Sequence, residues 1–142
     1  MENAYIKLVT ASNVQHISLD DVKDLFSYYK EITGKTGRQL DWHYDTAAFP
    51  YQIKETNQEN SWFYLKSDQQ KYNAIVVGVG QEEKKDKIGE NLEQSYIQVT
   101  LPQSSTAGDK GKANEFCKFL AKKLEGELHL FNGRIMYFYK RK

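Results

Sequence analysis

Ser104-Ser105-Thr106-Ala107-Gly108-Asp109-Lys110-Gly111-Lys112 is the stretch whose residue types come nearest to a chemical site. It leaves an apolar alternation typical of a strand and enters a helical stripe, so free backbone N–H groups and two lysines would meet at a helix start. Such a corner can receive an anion, phosphate above all. On this reading Ser105, Gly108, Lys110, Gly111 and Lys112 are the anion-binding residues. The spacing matches no phosphate loop, and Asp109 would sit among the donors. The plainer alternative is a loop in which Asp109 caps the helix.

The other motifs carry less. Gly34-Lys35-Thr36 has the end of a phosphate loop, but Tyr29 stands where the earlier glycine is needed, and the triplet follows a helix rather than a strand. Gly78-Val79-Gly80 fails as a dinucleotide fingerprint, because Glu83 takes the third glycine position. In Asp41-Trp42-His43-Tyr44-Asp45 an extended backbone would set both carboxylates and the imidazole on one face. That is a proton shuttle or half a metal site, or simply a solvated edge behind two core aromatics. Cys117 lies on an apolar helical stripe, where a thiol acts as a small hydrophobe rather than a nucleophile. No nucleophile elbow is present. Neither catalytic residues, metal ligands nor a cofactor can be nominated.

The aromatic residues give a different kind of signal. If Ile6, Leu8, Phe63, Leu65, Ile97, Val99, Leu128 and Leu130 face a helical layer, the opposite sheet face presents Tyr5, Trp62, Tyr64, Tyr96 and Phe131. Lys7, Lys66, Gln98 and His129 share that face, joined by either Tyr137 and Tyr139 or Met136 and Phe138. An uncovered aromatic face of this extent marks an interface. The competing possibility is that residues 35–80, or a curl of the sheet, cover it. Stacking of nucleic acid on the same rings is not expected, since net charge is only +1 and no Lys/Arg-Gly-aromatic motif is present.

These residues must be positioned by a mixture of strands and helices. Tyr5–Val9, Tyr51–Glu55, Ser61–Lys66, Tyr72–Gly80 and Tyr96–Leu101 read as strands, and Ala74–Gly80 is apolar on both faces, as in a central strand. Ser18 caps a helix over Leu19–Thr33 that Gly34 should end; a second stripe through Ala113, Phe116, Cys117, Leu120 and Leu124 should close at Gly126. Gln81–Glu93, crowded with charge, reads as a mobile surface loop. Asn132-Gly133 signals a hairpin with a type I′ turn. Ala4-Tyr5-Ile6-Lys7-Leu8 is similar to Ser95-Tyr96-Ile97-Gln98-Val99, and each leads to a helix and a strand pair, so a β-α-β-β unit could be used twice.

The expected fold is α+β: one two-layer domain over residues 1–142, with a mostly antiparallel sheet of six or seven strands and two helices on one face. A length of 142 residues suits one domain, and a single cysteine excludes a disulfide framework. No apolar run approaches the roughly 20 residues of a membrane span, and the start lacks a signal-peptide pattern, so a cytoplasmic protein is expected.

Ala4-Tyr5-Ile6-Lys7-Leu8-Val9, Phe26-Ser27-Tyr28-Tyr29-Lys30 and Ala48-Phe49-Pro50-Tyr51 together resemble a family of small proteins from Bacillus-type bacteria known only as a domain of unknown function. That resemblance spans nearly the whole chain. It implies a bacterial, cytoplasmic protein and carries over no site residues. The functional expectation is a non-enzymatic binding or self-association domain using its aromatic face, with an anion site on residues 104–112 as the alternative.

Overall fold

Antiparallel pairing arranges the strands so that each alternating segment turns its apolar side the same way. The computed structural model describes residues 1–39, 48–55, 61–85 and 88–140, so Asp41–Asp45 lie outside the described residues. In chain order the elements are β1 (Glu2–Lys7), α1 (Leu19–Gln39), β2 (Gln52–Glu55), β3 (Trp62–Lys66), β4 (Ala74–Lys85), β5 (Asn91–Leu101), α2 (Ala107–Leu124), β6 (Glu127–His129) and β7 (Ile135–Tyr137). The strands form one open seven-stranded sheet in the order β2-β3-β4-β5-β1-β6-β7, and every pairing is antiparallel. This is the expected α+β architecture.

Both helices cover one face of the sheet. Ile6, Phe63, Leu65, Ile97, Val99 and Leu128 are fully buried beneath Val22 and Phe26 of α1 and Phe116 and Leu120 of α2. Burying each such side chain is worth about 1.5–3 kcal/mol. Aromatic edges lock the helices to each other and to the sheet: Phe26 of α1 meets Phe116 of α2 at 5.4 Å and Phe63 of β3 at 6.1 Å, and Tyr29 meets Phe119 at 5.0 Å.

The helix ends show how local chemistry sets the boundaries. At α1 the Asp21 N–H donates to the Ser18 hydroxyl at 3.1 Å, and the Ser18 N–H donates back to the Asp21 carboxylate at 3.0 Å. That reciprocal pair is a capping box, and its hydrogen bonds hold the Asp21 carboxyl below its ordinary pKa. The helix does not end at Gly34 as expected. Gly34 is not among the left-handed residues that would turn the chain out, so α1 continues to Gln39. The expected cap of α2 is also displaced: Thr106 is the N-cap, and Asp109 completes the box from three residues further on. At the far end Glu125, not Gly126, takes the left-handed conformation with φ 52°. Gly126 instead lets β1 pass close, since a Cβ there would sit 3.0 Å from the Lys7 carbonyl oxygen.

Two further expectations need correction. The charged stretch 81–93 is not a loop over most of its length, because β4 and β5 stay paired as far as Lys85 and Asn91. Beyond the reach of β1 and β3 this ribbon is two strands wide with both faces wet, and charged side chains suit that setting. The hairpin at Asn132-Gly133 is present with a different turn. Only Gly133 has positive φ (85°), and the Leu130 N–H donates to the Arg134 carbonyl at 2.8 Å while the Gly133 N–H donates to the Leu130 carbonyl at 3.0 Å. That is a type I turn closed by a glycine bulge, with a three-residue loop Phe131-Asn132-Gly133.

The suggested repeat has a counterpart at the centre of the sheet only. β1 and β5 pair about Ile6 opposite Ile97, which places Tyr5 against Gln98 and Lys7 against Tyr96, as a local two-fold requires. Outside that pair the layouts differ: the strand after α2 lies beside β1, whereas the strand after α1 lies at the far edge.

Candidate functional site

The helix-free face of the sheet carries a continuous register of side chains. Trp62 stands opposite Gly78, Gly78 opposite Gln98, Gln98 opposite Tyr5, and Tyr5 opposite His129. The next row holds Tyr64, Val76, Thr100 and Asn3, and the row on the other side Gly80, Tyr96, Lys7, Glu127 and Tyr137. Tyr5, Trp62 and Tyr96 are half-buried, and Tyr64 is 39% exposed, so these four expected residues come together on an open surface rather than in the core. Tyr137 joins them, which settles the register of the last strand in favour of the tyrosines.

Phe131 does not join them. It is the first residue of the turn after β6, so strand alternation has already ended, and its ring packs against the core. Phe131 therefore does not belong to the open face.

Glycines give this face its relief. Gly78 and Gly80 interrupt a strand of valines, and each lies beneath an aromatic neighbour. A Cβ at Gly78 would meet the Trp62 Cβ at 3.1 Å; one at Gly80 would fall 2.5 Å from the Tyr96 hydroxyl. The Tyr96 ring takes the space over Gly80, and over Gly78 a groove of about 430 Å³ is left whose lining includes Met1, Trp62, Tyr64, Val76, Tyr96 and Gln98. That size lies within the range of small-molecule sites. Trp62 and Tyr64 meet edge to face at 5.0 Å on one side, and Tyr96 meets Tyr5 in the same manner at 5.8 Å. Gly78-Val79-Gly80 thus has a purpose unrelated to phosphate binding, and strand register is the signal that could have found it.

Polar groups border the rings. Lys7 pairs with Glu82 at 3.2 Å. His129 Nε2 lies 2.8 Å from Glu127 Oε1, and the Tyr139 hydroxyl donates to Glu127 Oε2 at 3.3 Å. The alternation Glu127-Leu128-His129 already puts acid and imidazole on one strand face, so this pairing was legible, although only His129 was singled out.

The loop 104–112 is organised around an anion that the protein supplies itself. Asp109 is fully buried. Its carboxylate accepts from the Tyr51 hydroxyl at 2.6 Å, from the Thr106 and Asn73 N–H groups at 3.0 Å, and from the Ala74 N–H at 3.2 Å. Four of the five expected anion-binding residues have partners or neighbours of their own. Ser105 donates to the Ala74 carbonyl at 3.0 Å, and Gly108 lies against the Lys71 carbonyl and the Tyr72 ring. Lys110 pairs with Glu2 at 3.0 Å and Lys112 with Glu115 at 3.1 Å, while Gly111 faces open space. Among the described residues no group of three or more His, Cys, Asp and Glu side chains is arranged to hold a metal.

Burial, reinforced by the Asp109 carboxylate, raises the Tyr51 hydroxyl pKa well above its ordinary value. A raised folded-state pKa gives stability that is complete below the unfolded value, about 10 for tyrosine, and is lost as pH rises beyond it. The unfolded chain then releases a proton that the folded chain retains. Tyr51→Phe should therefore unfold with a shallower loss of stability above about pH 10, by up to about 1.4 kcal/mol per pH unit. Urea titrations at several alkaline pH values measure this, and equal slopes for the two proteins would refute it. Burial also pushes the Cys117 thiol up to about 12, a contribution common to both proteins that cancels.

The family model described as a domain of unknown function, DUF1885, matches residues 2–140. Among solved structures the chain is similar to a protein of unknown function from Bacillus stearothermophilus, seen in a crystal structure. The two are 41% identical, the match covers 89% of this chain and 92% of that one, and the TM-score is 0.55. A search of the curated proteins finds no match. No helix among the described residues is long and apolar enough to cross a membrane. With the family model covering the chain almost from end to end, this protein belongs to the DUF1885 family, a domain of unknown function.

Proposed function

We propose that the protein is a non-enzymatic binding domain whose working surface is the open aromatic face of the sheet. The observation that carries this reading is the groove over Gly78, walled by Trp62, Tyr64 and Tyr96 on a face that neither helix covers. Side chains that only stabilise a fold belong in its core. Here large rings are spent on the outside, and glycines opposite them keep the surface concave. Recognition, of a second copy or of another molecule, is the activity such a surface supports. A cytoplasmic setting goes with this reading, supported by a lone thiol that is buried and unpaired.

The test is native mass spectrometry of the untagged protein gently purified from its own host, beside a Tyr5→Ser, Trp62→Ser, Tyr96→Ser variant. The wild type should carry a dimeric or retained non-protein mass, and the variant should run as a bare monomer that still unfolds cooperatively. If the variant loses its fold, the rings are core and the reading fails. It fails equally if wild type and variant are both bare monomers.

A further inference from the structure

The groove has a polar floor whose hydrogen-bonding state is defined, and it narrows the chemistry of an occupant. The Gln98 side-chain NH2 group donates to Asn3 Oδ1 at 3.1 Å and to Thr100 Oγ1 at 3.2 Å; these acceptors lie only 2.7 Å apart, so one hydrogen is shared between them. The Thr100 hydroxyl donates its own proton to Asn3 Oδ1 at 2.7 Å. The Thr100 proton and one Gln98 hydrogen are thus committed, and among the described residues the Gln98 Oε1 carbonyl accepts no hydrogen bond. Gln98 lines the groove and stands directly across Gly78 from Trp62. The floor therefore offers an acceptor beside an aromatic wall.

Width and charge restrict the occupant further. Trp62 and Tyr64 rise from β3 and Gln98 from β5, two strand spacings apart, or about 9.5 Å. Over glycine that separation admits one flat ring at stacking distance and little more. The lining holds no acidic side chain and includes Met1 with its α-amino group, so a cationic occupant would lose hydration without an ionic partner.

Resting on the binding role proposed above, we infer that the groove takes a non-cationic planar ring bearing an N–H or O–H donor, stacked on Trp62 and Tyr64 and hydrogen-bonded to Gln98 Oε1. Indole and 1-methylindole are matched probes, because methylation removes the donor while adding apolar surface. Hydrophobic contact alone would make 1-methylindole the tighter of the two. The hydrogen bond should reverse that order, with indole about three- to tenfold tighter. Amide shifts of the 15N-labelled protein, followed through millimolar titrations, should centre on Gly78, Val79 and Gln98. In Gln98→Leu, provided its spectrum stays dispersed, the preference should vanish while ring binding persists.

Equal or reversed affinities in the wild type would overturn the donor assignment and leave the binding role standing. Shifts with tetramethylammonium in place of indole would overturn the exclusion of cations. If no probe perturbs these residues, a dimer dissociated by Trp62→Ser would overturn the small ligand and retain the face as a self-association surface. A probe-silent, bare monomer would remove both readings.

Discussion

Replacing Asp109 by alanine is expected to destabilise the protein by about 3–5 kcal/mol, the range seen when one partner of a buried charged network is removed. The carboxylate has no exposure to solvent and satisfies four donors from three parts of the chain: Tyr51 before β2, Asn73 and Ala74 at the start of β4, and Thr106 at the cap of α2. Alanine would leave those donors without an acceptor in a buried site, at about 1–3 kcal/mol each before relaxation or water entry reduces the sum. It would also remove negative charge from the first turn of α2, where the helix dipole favours it. Asp109→Asn keeps the shape but turns an amide toward N–H groups that need an acceptor, so it should recover only part of the loss. Urea unfolding measures the effect as a lower midpoint at unchanged slope. An alanine variant within about 1 kcal/mol of wild type would show that this carboxylate does not hold the three segments together.

Asp109 also illustrates what a sequence can and cannot disclose. Its position in a loop entering a helix suggested a cap, and the capping box is present with the roles of Thr106 and Asp109 exchanged. Its principal partners are 58 and 36 residues away, so local pattern carries no trace of them. The same loop suggested an anion site because glycines, hydroxyls and lysines lie close together in sequence. In the fold a carboxylate from the loop itself takes up the Thr106 N–H, and both lysines have acidic partners. Charge density misled in a similar way at 81–93, where a ribbon wet on both faces tolerates charged residues that a central strand would exclude.

Strand alternation, by contrast, was fully informative wherever a strand had one dry face. Ile6, Phe63, Ile97 and Leu128 are buried, and Tyr5, Trp62, Tyr64 and Tyr96 are on the other side. A period of two fixes these assignments once any one residue of a strand is placed. Phe131 escaped the rule because the strand ended two residues earlier than the pattern suggested. The groove itself required pairing register: nothing local to Gly78 and Gly80 names Trp62 and Tyr96 as the rings above them.

Phe116→Ala should cost a further about 3–5 kcal/mol, as deletions of a buried aromatic ring do. Its ring is 1% exposed and lies 5.4 Å from Phe26, Tyr29 and Phe49 and 5.9 Å from Tyr51. Four rings around one site cannot all move inward, so most of the void would persist. Tyr64→Ser on the open face is the contrasting substitution, expected to stay within about 1 kcal/mol, and equal costs for the two would contradict the division between core and binding face. Phe116 and Asp109 meet through Tyr51, whose ring touches one and whose hydroxyl bonds the other. Removing both would consume much of the 5–15 kcal/mol that a domain usually has, so milder changes give the cleaner cycle. In a Phe116→Leu background, with Tyr51 less firmly seated, Tyr51→Phe should cost about 0.5–1 kcal/mol less than in wild type. Strict additivity would mean that the aromatic cluster and the buried carboxylate stabilise the fold independently, and that Tyr51 transmits nothing between them.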